Sequence, residues 1–433
     1  MSKFVAAIVT FLFVGCNSSQ TEPPLACAEA QVQPGHEKWP APPTPSDSTA
    51  LGKSYSEDVG LMCPLDGAPN RRHFAAKVTG VNSIGAIVGV HTGGLHKRNF
   101  TWSIVRNYAG YTPDSISDAE VELQLQTALA AWASVANLSF RQVHSGGEIT
   151  FEWVPTLADV DLPVPNAIAV AFSRDSAGEF YADILPEAYG ARIVFADRRI
   201  GPDTKMNWAR PNAILTLATH EIGHFLGMWH AFMDPEYGPG KAYPKANDHS
   251  IMSYDYKCSV GACVGYLSEY DISVMEKKYG PNSQTRPLLE LWVPGWNKHF
   301  YTTSWPEANT LAYSGATSGL TRFWGLVNRN QIPGTTALHR HYTEQVGVGP
   351  RHYYSTGEPL CAPMPLWYEG VMGYIETPSK KAPEGSLRLY SDYSASLKDN
   401  RLTAGSKAPE GYARGKVFGD VIPIDNLPPA AED

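Results

Sequence analysis

The run His220-Glu221-Ile222-Gly223-His224-Phe225-Leu226-Gly227-Met228-Trp229-His230 limits this chain more tightly than any other stretch. Two histidines four residues apart share one face of a helix, so both imidazoles can grip one metal ion. The glutamate between them lies one residue round the helix, within reach of a water on that metal. Gly227 ends the helix, because glycine takes a left-handed C-cap without strain. The chain can then swing back and offer His230 as a third ligand. Three neutral imidazoles leave one tetrahedral position open, which is the layout of a catalytic zinc site and not of a structural one.

Downstream, Ser250-Ile251-Met252-Ser253-Tyr254 is followed by Asp255-Tyr256. This resembles the Met-turn of the metzincin metalloproteases, in which a methionine packs beneath the zinc ligands. H-E-x-x-H by itself is a weak pattern, and a buried amphipathic helix with core histidines would produce it. The extended motif with a Met-turn at short distance is a strong one.

At 433 residues the chain is longer than one ordinary domain, and two folded domains with tails are expected. Hydrophobic content of 43% and charged content of 18% describe a globular protein. The net charge of -8, with no basic run, argues against a nucleic-acid partner. Lys3 followed by the apolar stretch from Phe4 to Val14 reads as a targeting signal too short to span a membrane. Its end, Phe13-Val14-Gly15-Cys16, resembles a bacterial lipoprotein signal, with Cys16 lipidated as the new N-terminus. Plain secretion with cleavage nearby is the alternative, and both place the mature chain outside the cytoplasm, in the cell envelope or the medium. Any membrane contact is then through a lipid anchor alone.

Six cysteines fit an oxidising compartment. Cys258 and Cys263 enclose four residues and are expected to close a small loop disulfide, since a metal pair would need two more soft ligands nearby. Among Cys27, Cys63 and Cys361 the connectivity stays open.

Residues 1–16 are thus a lipoprotein-type signal peptide and 17–50 a Pro-rich tether, notably Trp39-Pro40-Ala41-Pro42-Pro43-Thr44-Pro45. Residues 51–97 are a pro-region or an N-terminal extension. Strand patterns follow at Phe100–Val105, Leu138–Val143, Glu148–Trp153, Ile168–Phe172 and Ala191–Phe195. A helix capped by Asp118 carries Val121, Leu125, Leu129 and Trp132 at helical spacing. The helix with the histidines starts near Pro211-Asn212 and buries Ile214, Leu217 and Phe225. A last helix starts near Ser268 and runs to Tyr279-Gly280.

This order resembles a metzincin catalytic domain, most nearly a matrixin one, over about residues 98–280. The resemblance rests on the opening strand, the helix ending Ala130-Ala131-Trp132, the zinc helix, and the Leu267-Ser268-x-x-Asp271 helix. Ala231 after the third histidine fits no usual subfamily marker. Tyr254 stands two places after the methionine, as in astacins and serralysins. Cys63-Pro64-Leu65-Asp66 is not the matrixin cysteine switch.

Residues 286–425 repeat three times. Leu289-Glu290-Leu291-Trp292 recurs as Leu338-His339-Arg340-His341-Tyr342 and Leu387-Arg388-Leu389-Tyr390. His299-Phe300-Tyr301-Thr302-Thr303 recurs as His352-Tyr353-Tyr354-Ser355-Thr356, and Gly325, Gly370 and Gly415 are evenly spaced. Three copies of short aromatic strands suggest a β-trefoil-like module, resembling Tyr-rich repeats appended to secreted bacterial hydrolases. The expected fold is α+β: a metzincin-type domain over 98–285 with a mixed twisted sheet, long helices and a zinc cleft. An all-β, β-trefoil-like domain over 286–425 and a tail over 426–433 complete it.

The resemblance implies a zinc metalloendopeptidase. Zn2+ would be held by His220, His224 and His230, with Glu221 as general base. Tyr254 would be a resting zinc ligand or a hydrogen-bond donor to the tetrahedral intermediate, and Met252 a structural floor. Asp159, Asp161, Asp175, Asp183, Asp197 and Asp203 are available oxygen ligands for a structural Ca2+ or a second zinc, though no spacing among them is diagnostic. The expected partners are a protein or peptide substrate and a glycan on the C-terminal domain, with the chain a monomer. The alternative is a surface glycan- or cell-wall-binding protein whose peptidase domain is narrow in target or silent.

Overall fold

The structure is a computed structural model. It describes residues 97–105, 116–160, 168–174, 180–181, 189–197, 207–228, 249–252, 257–258, 263–264, 266–317, 319–345, 349–357, 366–378, 382, 384–405, 407–424 and 430. All of these belong to one compact unit, Lys38–Asp433. The expected signal peptide and tether, with Cys16, Cys27, Cys63 and Cys361, lie outside the described residues.

The strands expected from alternation are β1 (Asn99–Ile104), β2 (Ser139–Gln142), β3 (Ile149–Val154), β4 (Ala169–Arg174) and β6 (Gly190–Ala196), with a short β5 (Phe180–Tyr181) that alternation did not signal. They form one sheet in the order β2-β1-β3-β6-β4-β5. β1 runs parallel to β2 and β3, and β3 parallel to β6. β4 is antiparallel to β6 and to β5. Phe151, Trp153 and Phe195 stack across the central strands, Trp153 on Phe195 at 4.8 Å.

Helix α1 (Asp118–Val135) buries Val121, Leu125, Leu129 and Trp132, as its spacing requires. Its N-cap is Ser117, not Asp118: the Ser117 hydroxyl accepts the Glu120 N–H at 3.2 Å, and Asp118 becomes the first helical residue. An acidic group there faces the positive end of the helix dipole. Helix α2 (Ala213–Phe225) is buried along its whole length. Asn212 opens it with a left-handed φ of 61° and no side-chain cap. Gln124 of α1 supplies the missing acceptor, taking the Leu215 N–H at 3.0 Å. The Trp132 indole donates to the Thr219 carbonyl at 3.0 Å, locking the two helices in register.

Strands β7 (Lys257–Cys258) and β8 (Cys263–Val264) form a two-residue ladder with Cys258 directly opposite Cys263. Helix α3 (Glu269–Tyr279) starts with a full capping box, Ser268 and Asp271 each accepting the other's N–H. Its last residue, Tyr279, donates its hydroxyl to the Leu226 carbonyl at 3.0 Å.

Among the described residues the C-terminal part has ten elements. They are β9 (Thr285–Val293), β10 (Lys298–Thr302), α4 (Trp305–Tyr313), β11 (Leu320–Asn328), β12 (Thr335–Gln345), β13 (Gly349–Thr356), β14 (Trp367–Glu376), β15 (Leu387–Ser394), β16 (Asp399–Ala404) and β17 (Val417–Val421). Each of three copies is a hairpin whose first strand also pairs, antiparallel, with the copy's third strand. The frame of the repeat differs from the one the sequence suggested. Pairing sets Gly325 opposite Leu288, Gly373 opposite Leu338 and Gly419 opposite Leu389. Gly370 stands opposite Arg340, and Gly415 precedes β17. The cause is a register shift in each of these pairings, which even spacing along the chain does not reveal.

The third strands close a ring. Asn328 of β11 pairs with Tyr374 of β14, Glu376 of β14 with Asp420 of β17, and Leu326 of β11 exchanges both backbone hydrogen bonds with Ile422 at 2.8 and 3.1 Å. The three glycines make the close approaches. A Cβ on Gly325 would lie 2.2 Å from the Ile422 oxygen, on Gly373 2.7 Å from Val327 Cγ2, and on Gly419 2.7 Å from Ile375 Cδ1. Each copy therefore presses a glycine on the next. Inside lie Leu288, Leu338 and Leu389, then Trp324, Met372 and Phe418, then Val327, Ile375 and Val421. Gly373→Val should overpack this ring and cost about 1–3 kcal/mol. In urea unfolding, Gly295→Ala is the matched control, since a Cβ there meets nothing within 4 Å.

A larger core joins the two parts. Leu289, Leu291, Phe300, Trp305, Leu311 and Phe323 sit in the same cluster as Leu129, Trp132, Leu217, Ile222 and Met252. The Trp305 indole donates to the Ser134 hydroxyl at 2.8 Å, and the Leu320 N–H donates to the Tyr266 hydroxyl.

Candidate metal centre and catalytic carboxylate

The last turns of α2 carry His220, Glu221 and His224, each with 2% or less of its surface exposed. The helix then stops in a Schellman turn. Gly227, with φ 87°, donates to the His224 carbonyl, and Met228 N–H to the Gly223 carbonyl, both at 2.9 Å. This is the stop that the glycine predicted. It also turns the Met228 carbonyl inward, where it lies 2.9 Å from His224 Nδ1.

Both imidazoles are fixed from behind. A carbonyl can only accept, so each Nδ1 near one carries the hydrogen: His224 Nδ1 toward Met228, and His220 Nδ1 toward the Ile251 carbonyl at 2.8 Å. In the neutral rings each Nε2 then holds a lone pair, and the two Nε2 atoms stand 3.0 Å apart with the rings at 88°. Two lone pairs aimed at one point repel each other and fit a shared cation. The donor set is nitrogen, which suits zinc.

Glu221 is wholly buried beside them. One of its oxygens accepts the Ala171 N–H from β4, and Oε2 has no hydrogen-bond partner among the described residues. Burial pushes the carboxyl up from 4.5 to about 8, with the Ala171 N–H pulling the other way. A carboxyl held near neutrality, with one oxygen open, can take and return a proton.

Below the histidines, Met252 packs against Gly223. A Cβ on Gly223 would lie 2.5 Å from Met252 Sδ and 3.1 Å from the Trp132 ring. Met252 is thus the floor that the Met-turn pattern implied, and Gly223 is what lets it sit so close. His230 and Tyr254 lie outside the described residues, as do Asp161, Asp175, Asp183 and Asp203. Asp159 accepts from the Thr156 N–H and hydroxyl, both at 2.8 Å. Among the described residues no three His, Cys, Asp or Glu side chains converge as a metal cluster.

Asp271 orders the turn. Its carboxylate accepts the Ser250 hydroxyl at 2.5 Å, the Ile251 N–H at 2.9 Å, and the Ser268 N–H and hydroxyl at 2.8 and 2.9 Å. The Ile251 carbonyl belongs to the next peptide, whose Met252 N–H donates to the Ser250 hydroxyl at 3.0 Å, and it faces His220. The sequence marked a helix start near Ser268, but nothing in it marked this second task of Asp271. Asp271→Asn puts an amide N–H among donors and should cost about 2–3 kcal/mol. Burial pushes the Asp271 carboxyl up from 3.8 to about 6, its four donors opposing. Between those values the folded chain holds a proton that the unfolded chain has released. The stability from Asp271 is therefore greatest in acid and is lost as pH rises through the folded value. Urea unfolding should find the gap between wild type and Asp271→Asn wider by about 1 kcal/mol at pH 5 than at pH 7.

The sequence around this site is similar to known proteins. The matrixin family model matches residues 94–256. The match supports a metzincin-like catalytic domain in this segment. The chain is 28% identical over 178 residues to matrix metalloproteinase-20 of Homo sapiens, covering 40% of this chain and 30% of that protein. It is 27% identical over 202 residues to metallopeptidase AprA of Pseudomonas marginalis, covering 42% and 39%. With serralysin of Proteus mirabilis the identity is 26% over 188 residues, covering 38% and 36%. The chain spans about a third of the length of the curated relatives it matches. These similarities support a domain of the metalloprotease class and the mixed sheet-and-helix fold expected for it.

Proposed function

We propose that this chain is an extracytoplasmic zinc endopeptidase in which His220, His224 and His230 hold the metal and Glu221 is the general base. The observation that carries this is the pair of carbonyl-fixed imidazoles whose Nε2 atoms face each other beside a buried glutamate with one open oxygen. When bound, zinc supplies a Lewis acid for the scissile carbonyl and lowers the pKa of its water toward neutrality. Ile251 and Met228 hold the two rings so that no reorientation is needed on metal binding. Glu221 takes the proton from the attacking water and delivers it to the leaving amine. Tyr254 is assigned to donate to the developing oxyanion, a role taken from the resemblance. A structural calcium or second zinc in the loops between residues 157 and 208 rests on the aspartates available there.

The N-terminal signal supports export, as a secreted or lipid-anchored protein. Among the described residues no helix is long and apolar enough to cross a membrane. The threefold C-terminal ring is assigned as a β-trefoil-like binding module. Trp367 favours that role: it is 44% exposed and stacks on Tyr342 at 5.5 Å, a platform for a sugar ring.

The test is digestion of a broad peptide library by the chain from residue 17 onward. Cleavage should vanish with a chelator and return with zinc. Cleavage that survives chelation, or none by the zinc-loaded protein, would sink the assignment.

A further inference from the structure

Helix α4 is the one helix described in the C-terminal copies, inserted between the second and third strands of the first copy. Trp305, Asn309 and Tyr313 recur at i, i+4 and i+8, so they form one stripe along it. All three are buried, and each meets the catalytic segment. Trp305 reaches Ser134 of α1. Asn309 Nδ2 donates to the His249 carbonyl at 2.9 Å. The Tyr313 ring lies flat on the His249 ring, with centroids 3.6 Å apart and planes at 5°.

His249, Ser250, Ile251 and Met252 are consecutive described residues that lie in no helix or strand. That strip presents the Ile251 carbonyl to His220 and the Met252 thioether to Gly223. Asp271 holds its middle through Ser250 and Ile251. Asn309 and Tyr313 of α4 hold His249, next to Ser250 in the chain. A peptide carbonyl can aim a ring only if its own plane is fixed, and fixing a short irregular strip takes more than one anchor.

We infer that Asn309 and Tyr313 are positioning residues of the metal site. The C-terminal part, through α4, sets the backbone that orients His220. The inference rests on the zinc-peptidase assignment and assigns the C-terminal part a task there distinct from ligand binding.

The experiment compares full-length wild type with Asn309→Asp, Tyr313→Leu and Tyr313→Phe. Asn309→Asp keeps the shape and removes the donated N–H. Tyr313→Leu removes the stacked ring, which Tyr313→Phe keeps. Zinc affinity is read by competition with a chromophoric chelator, and amide hydrogen exchange at residues 249–252 is read in the zinc-free protein. Asn309→Asp and Tyr313→Leu should weaken zinc about tenfold, the scale for partners behind a ligand, and speed exchange in the strip. The thermal midpoint should fall by a few degrees with the chain still folded where zinc and exchange are read, and Tyr313→Phe should keep wild-type affinity and exchange. Wild-type affinity and exchange in Asn309→Asp and Tyr313→Leu would overturn the inference, as would equal loss in Tyr313→Leu and Tyr313→Phe. Should Asn309→Asp not fold, the Tyr313 pair decides. A wild type that binds zinc but cleaves no peptide defeats the peptidase assignment alone, since affinity and exchange still decide this one.

Discussion

Glu221→Ala is expected to lower kcat/KM by about 10²–10⁴ while zinc stays bound, as measured by peptide cleavage beside metal analysis of the same preparation. The two readouts separate because Glu221 takes no part in the contacts that fix the imidazoles. His220 is oriented by Ile251 and His224 by Met228, and neither contact involves the glutamate. The carboxyl instead rests on the Ala171 N–H with its second oxygen open. Loss of both zinc and activity would make Glu221 a structural support of the site and remove it from the chemistry.

Trp305→Ala should be the most damaging single change in the C-terminal part, costing about 3–5 kcal/mol. The side chain is buried between Tyr266 and Phe323, with ring centroids 6.0 and 6.1 Å away, and its N–H is satisfied by Ser134. The damage should reach the catalytic half, because one core holds Trp305 together with Trp132 and Met252. A chain ending at Pro281 should therefore fail to bind zinc and lack a cooperative unfolding transition by circular dichroism. A truncated chain that folded and bound zinc with wild-type affinity would mean that the shared core is dispensable.

Local features of this molecule were legible in the sequence where short-range geometry decides them. The i, i+4 spacing placed His220 and His224 on one face, Gly227 marked the helix stop, and the last helix was set to start near Ser268. Alternation placed five strands of the first sheet to within about two residues. The mistakes were also local competitions: Ser117 outbid Asp118 for the N-cap because its hydroxyl reaches the Glu120 N–H. What could not be seen were contacts closed by tertiary packing. Asn309 meets His249, 60 residues away in sequence, and nothing in its neighbourhood sets it apart from other helix asparagines. The Ala171 N–H that meets Glu221 carries no side-chain signature at all. The repeat was visible, yet its frame was misjudged, because bulges decide which glycine faces which leucine.

The closed ring has a consequence for how this chain can vary through descent. An open stack of repeats can gain or lose a unit at its ends and still bury its faces. Here Gly325 rests on Ile422, Gly373 on Val327 and Gly419 on Ile375, so every copy is both donor and receiver of a contact. Deleting one copy would leave two unmatched faces, and adding one would open the circle. Copy number is thereby frozen at three, and change is confined to substitution. The copies already differ at the hairpin position where His299 and His352 have Asn400 as their counterpart, while change at the three glycines is barred.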